Sequence, residues 1–160
     1  MDAFPTSTSR PAIWEGFLSY LTAWDDAEDL AETEILRGLW IGGSFTTSYL
    51  EPSDIDVSPI YDKDALVALS GKPGSGKIKA LIAHRESIVA TYHVEPFAIP
   101  WLPIASTLLP DRLPLAERDA LAVRGGLDSW WGRVRPPGER VAPIPPTTLA
   151  DRGYLEVIVR

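Results

Sequence analysis

Apolar residues recur at spacings of three and four near the start of the chain. Ile13, Phe17, Tyr20, Leu21 and Trp24 fall on one helical face. Arg10-Pro11 can open that helix, because proline fits a first turn whose N–H groups lack intrahelical partners anyway. An acidic run follows: Asp25, Asp26, Glu28, Asp29, Glu32 and Glu34, interleaved with Leu30, Ile35 and Leu36. It predicts a solvated helix face or a helix-loop-helix, with Gly38 as the stop. The pattern then turns strand-like over 39–45 and again over 54–61. Asp62-Lys63-Asp64 opens a short amphipathic helix with Leu66, Val67 and Leu69. Residues 70–77 read as an exposed loop. From Lys77 to Val89, the residues Ile78, Leu81, Ile82, Arg85 and Val89 keep helical register, and 90–99 is rich in strand formers.

Beyond Trp101 the pattern loosens around Pro103, Pro110 and Pro114. Leu115 to Trp131 predicts a further helix, with a break at Gly125-Gly126. Residues 132–148, dense in proline, predict an extended loop laid across the domain. A final strand is expected in Arg152-Gly153-Tyr154-Leu155-Glu156-Val157-Ile158-Val159. The expected architecture is α/β: a small mixed sheet flanked by helices. Residues 1–9 form an arm and 10–160 a single domain, with a core at about 10–100 and a helix, proline-rich loop and strand over 101–160.

Composition narrows the function. The chain has 160 residues, a formal charge of −7 and a sequence pI of about 4.8. Such a balance opposes a sequence-independent grip on duplex nucleic acid, which needs basic surface. Residues 1–110 hold 15 acids and 7 basic residues, whereas 111–160 hold 7 acids and 8 arginines, so the second part is close to neutral. Cysteine is absent, which excludes disulfides and thiolate metal sites. No apolar run of about eighteen residues occurs, and the first residues lack the pattern of a secretory signal. The expected location is cytoplasmic, without membrane partners.

The chemistry concentrates in Leu39-Trp40-Ile41-Gly42-Gly43-Ser44-Phe45 and Asp54-Ile55-Asp56-Val57, with 9 residues between Ser44 and Asp54. Asp54 and Asp56 are two apart, so on an extended strand they share a face. Two neighbouring carboxylates repel unless solvent or a cation separates them. Oxygen ligands of this kind suit Mg²⁺. Gly43-Ser44 offers backbone N–H groups and a hydroxyl for a phosphate. A third acid is available in Glu95, on the strand-like run 90–99, with Pro96 behind it marking an edge or a bulge.

This order of parts resembles the signature of the DNA polymerase β-like nucleotidyltransferase superfamily: an apolar residue, two small residues, a gap, then acid-apolar-acid-apolar. Gly43 and Ser44 match the small pair, and Asp54, Ile55, Asp56 and Val57 the second half. The resemblance covers about residues 10–100. Arg152 to Val157 resembles the close of small stand-alone bacterial members. The family more often has Asp where this chain has Glu95, and its gap is usually longer. The resemblance implies Mg²⁺-dependent transfer of a nucleoside monophosphate from a nucleoside triphosphate, such as ATP, to an acceptor hydroxyl on RNA, protein or a small molecule. Asp54, Asp56 and Glu95 would be metal ligands and catalytic acids, and Gly43 and Ser44 would hold the triphosphate. It equally implies an alternative, an inactive fold serving as a protein partner in a toxin–antitoxin or defence pair.

Three weaker signals remain. Gly71 to Ile78 nearly matches a P-loop, but Ile78 cannot ligate magnesium and the preceding residues read as helix. Lys77, with Lys72, Lys79 and Arg85, could still meet a triphosphate. His93 shares strand parity with Glu95 and is expected to be partly buried and hydrogen-bonded. Trp101, Trp130 and Trp131 are expected in the core or at a partner surface rather than under nucleic-acid bases.

Overall fold

A computed structural model describes residues 6–104, 110–133 and 153–159. In order these form α1 (Arg10–Ala31), β1 (Leu36–Gly42), a 3₁₀ turn (Ser44–Thr46), β2 (Ile55–Asp62), α2 (Lys63–Ala68), α3 (Ser75–Ala83), α4 (Arg85–Tyr92), β3 (Val94–Pro96), β4 (Ile99–Trp101), a second 3₁₀ turn (Pro110–Arg112), α5 (Leu115–Trp131) and β5 (Leu155–Ile158). The sheet is mixed. β1 runs antiparallel to both β2 and β5, while β3 and β4 run parallel to successive parts of β2.

Alternation along β2 sorts its side chains between two layers. Ile55, Val57 and Tyr61 point into the larger core with Ile13, Phe17, Tyr20 and Trp24 of α1, Ile78 and Leu81 of α3, and Ile88 of α4. The opposite parity, Asp56, Ser58 and Ile60, faces the side covered by α5, where Trp40, Ile60, Ile99 and Trp131 make a second, smaller cluster. Both clusters are held by polar bonds as well as by packing. The Tyr20 hydroxyl donates to the Leu81 carbonyl at 2.9 Å. Trp131 Nε1 donates to the Ser58 hydroxyl at 3.0 Å, so a buried indole and a buried hydroxyl satisfy each other.

Several boundaries differ from the sequence pattern. α1 ends at Ala31, and Glu32 takes the left-handed conformation at φ 50°. Gly38 therefore lies inside β1 rather than at a helix end. The acidic run has a structural use: Glu28 Oε1 accepts from the backbone N–H groups of Ile35 at 2.6 Å and Leu36 at 2.5 Å, tying α1 to β1. The helix expected over 77–89 is two helices, α3 and α4, parted at His84. Residues 90–92, expected in a strand, complete α4, whose end presses on α1: a Cβ on Gly16 would overlap the Tyr92 carbonyl. His93 caps α4 in the left-handed conformation, at φ 55°, and is exposed rather than partly buried. α5 passes through Gly125-Gly126 without a break. Residues 7–9 are not loose, since the Glu51 carboxylate accepts from the N–H groups of Thr8 and Ser9, both at 2.9 Å. The expected proline-rich loop lies, apart from Gly132 and Arg133, outside the described residues. Among the described residues, no helix is long and apolar enough to cross a membrane.

Candidate metal and phosphate site

The start of β2 brings the acids together. Asp54 immediately precedes the strand and Asp56 is its second residue. β3 is parallel to β2, with Asp56 opposite Glu95 in register. Asp54 and Asp56 share parity, and the pairing of Asp56 with Glu95 adds the third carboxylate beside them, all on the α5 side of the sheet. One oxygen from each lies within 4.8 Å of the others, and all three side chains are half-buried. Opposite ligands of one octahedral Mg²⁺ at about 2.1 Å stand roughly 4.2 Å apart. The donor set thus fits a small hard cation after modest side-chain rotation.

The glycine turn shapes the other wall. Gly42 pairs with Asp56 at the end of the β1–β2 ladder, and Gly43 follows with φ 74°. A Cβ on Gly43 would overlap the Asp56 carboxylate, so this position is glycine for space as well as for backbone angle. Ser44 opens the 3₁₀ turn and is half-buried beside it. The segment after Ser44 is clamped by Arg10, which donates to the carbonyls of Phe45 at 2.6 Å, Thr47 at 3.0 Å and Tyr49 at 2.5 Å. Its guanidinium also lies over the Phe45 ring at 5.1 Å.

Electrostatics in the cluster are uneven. Burial pushes the Asp54 carboxyl above its usual range, and the nearby Glu95 charge adds to the rise. A hydrogen bond from the Ser53 hydroxyl, with the charges of Arg85 and His93, opposes it without cancelling it. Glu95 has a partner of its own. Arg85, first residue of α4, donates from Nε to Glu95 Oε1 at 3.0 Å and from a terminal nitrogen to the same oxygen. Its guanidinium stacks on the Phe97 ring at 4.6 Å.

Of the residues singled out in the sequence, Asp54, Asp56, Glu95 and Gly43 meet at one point, with Ser44 next to Gly43. Lys77 does not join them. It is exposed on α3, whose start rests on Ala27 and Ala31 of α1, whereas the Ser44 segment is held by Arg10 at the opposite end of that helix. Seventeen positions at about 1.5 Å each put these ends about 25 Å apart. The loop before α3 follows helix α2 rather than a strand, and the Ser75 hydroxyl is spent on the Lys72 carbonyl, as no P-loop requires. Sequence reasoning missed Arg10 as the clamp and Arg85 as the partner of Glu95. Each precedes its partner by an irregular interval, and no spacing rule links them.

No curated protein and no solved structure matches the chain. A family model matches residues 1–143, nearly the whole chain, and carries the description "Family of unknown function (DUF6932)". The chain belongs to that family.

Proposed function

We propose that this chain is a Mg²⁺-dependent nucleotidyltransferase that moves a nucleoside monophosphate from a nucleoside triphosphate to an acceptor hydroxyl. The convergence of Asp54, Asp56 and Glu95 beside Gly43 carries this reading. Asp54 and Asp56 would hold the cation, with Glu95 as a third ligand or as the base that takes the acceptor proton. When bound, Mg²⁺ supplies neutralisation of the phosphate charge that builds at the reacting phosphorus. Gly43 leaves the approach to Asp56 open, and Ser44 offers its hydroxyl to the triphosphate. Arg10 keeps the Ser44 segment in place, so little reorganisation is left for the moment of reaction.

A second reading, an inactive partner protein of the same fold, is favoured by one observation: Arg85 already holds the Glu95 carboxylate. Calorimetry with ATP, with and without Mg²⁺, separates the two. The enzyme reading expects Mg²⁺-dependent binding that Asp56→Ala abolishes. A thermal melt shows whether the variant is folded. Parent protein that ignores ATP–Mg²⁺ and every other nucleoside triphosphate would leave the partner reading in place. An Asp56→Ala variant that binds like the parent would dismiss the metal assignment.

A further inference from the structure

The three carboxylates and Arg85 together carry a formal charge of −2 when all are ionised, the complement of one divalent cation. Arg85 is half-exposed on the first turn of α4 and is held by one carboxylate oxygen and one aromatic face. It is a cation inside a proposed cation site. A guanidinium has donors only, so its grip takes up lone pairs of Glu95 Oε1 and sets a positive charge beside the oxygens a metal would use. An exposed ion pair of this kind is weak, which makes it easy to exchange.

We propose that Arg85 is a displaceable guanidinium: it occupies Glu95 in the metal-free chain, yields that carboxylate to an entering divalent cation, and then meets the phosphates of the nucleoside triphosphate. This rests on the nucleotidyltransferase reading of the site. It turns the feature that favours an inactive protein into a coupling between metal and nucleotide. Like-charge repulsion between Mg²⁺ and the guanidinium drives Arg85 off Glu95. A planar fork of donors then matches a phosphate better than a carboxylate already shared with a metal. The Phe97 ring keeps the arginine over the site while it changes partner. The other basic side chain acting on Asp54 is His93.

The test uses the full chain and two probes, Mn²⁺ followed by electron paramagnetic resonance and ATP followed by calorimetry at saturating Mn²⁺. Arg85→Gln keeps the side-chain length and a donor while removing the charge, and a thermal melt shows whether it is folded. Arg85→Ala is the second variant. The expected result has opposite signs: Mn²⁺ binds about fivefold tighter to either variant because its competitor is gone. ATP binds roughly tenfold or more weakly, because a charge-assisted hydrogen bond to phosphate is lost. If the parent binds Mn²⁺ but the variants bind it equally or more weakly, or hold ATP as tightly as the parent, displacement is wrong and the metal site stands. If neither parent nor variants bind Mn²⁺, the metal site fails and displacement with it.

Discussion

The two sides of the sheet differ in what they ask of the sequence. Against α1, α3 and α4 the sheet buries a continuous apolar layer centred on Tyr20, Trp24, Ile35, Ile55, Val57 and Ile78, each with no accessible surface. Against α5 it buries a small aromatic cluster, Trp40, Ile60, Ile99 and Trp131, and the same parity of β2 that supplies Ile60 also supplies Asp56. One side holds the fold, and the other trades apolar area for three carboxylates at its rim. Damage to the first should therefore cost stability whatever ligand is present. Loss of an acid at the rim should cost binding, with little stability lost.

Trp24→Ala breaks the comparison on the side that holds the fold. It empties the largest fully buried side chain and should destabilise by about 3–5 kcal/mol, read from urea midpoints. A loss under about 1 kcal/mol would mean that this layer is not the main core.

Gly43→Ala tests whether the rim is shaped for the acids. Its backbone angle alone should cost about 1–3 kcal/mol, and the added methyl must push the Asp56 carboxylate aside. Mn²⁺ binding should fall further than stability does. Unchanged Mn²⁺ affinity, with the melting temperature also intact, would show that the turn does not define the site.

Asp54→Asn sharpens the comparison with the smallest effect. A carboxyl with a raised folded pKa binds its proton more tightly in the fold than in the unfolded chain. Its contribution is fully present below the ordinary value of 3.8 and is lost as pH rises through the raised one. Asparagine cannot ionise, so the variant should gain on the parent across the window just above 3.8 and keep that gain at neutral pH. Urea midpoints measured from pH 3 to 7 check the sign, and a variant that loses ground over that window would contradict the burial argument.

Much of this was legible in the sequence because it rests on local rules. Alternation fixes the face that Asp54 and Asp56 share, whereas Glu95 joins them only through the register of β3 on β2, and the apolar face of α1 follows from its periodicity. The short helix after Asp62 was expected, and Asp62 caps it by accepting from the Ala65 N–H at 2.9 Å. The final strand was expected too, though not that it would lie along β1. What escaped was settled between distant segments. The break at His84 has neither glycine nor proline to announce it; there the chain turns so that Tyr92 can reach Gly16. Gly38, an ordinary helix stop by its type, is taken into β1 because Val157 and Ile158 of β5 press against it, leaving room for no side chain without movement. Arg85 was visible as a positive charge near the site, but its hold on Glu95 depends on how α4 meets β3.

The pairing of β5 with β1 has a consequence in time. The Trp40 indole donates to Glu156 at 2.9 Å across 116 positions of sequence. A ribosome adding about 5–20 residues per second needs roughly 6–23 s to cover that interval. Throughout it, β1 can pair with β2 on one side while its other edge offers unpaired N–H and C=O groups to any extended chain nearby. Leu39, Trp40 and Ile41, apolar in an unbroken run, lie along that open edge. We therefore expect yield during synthesis to depend on how long β1 waits for its partner, and a short peptide carrying residues 153–159, supplied in excess, to raise it.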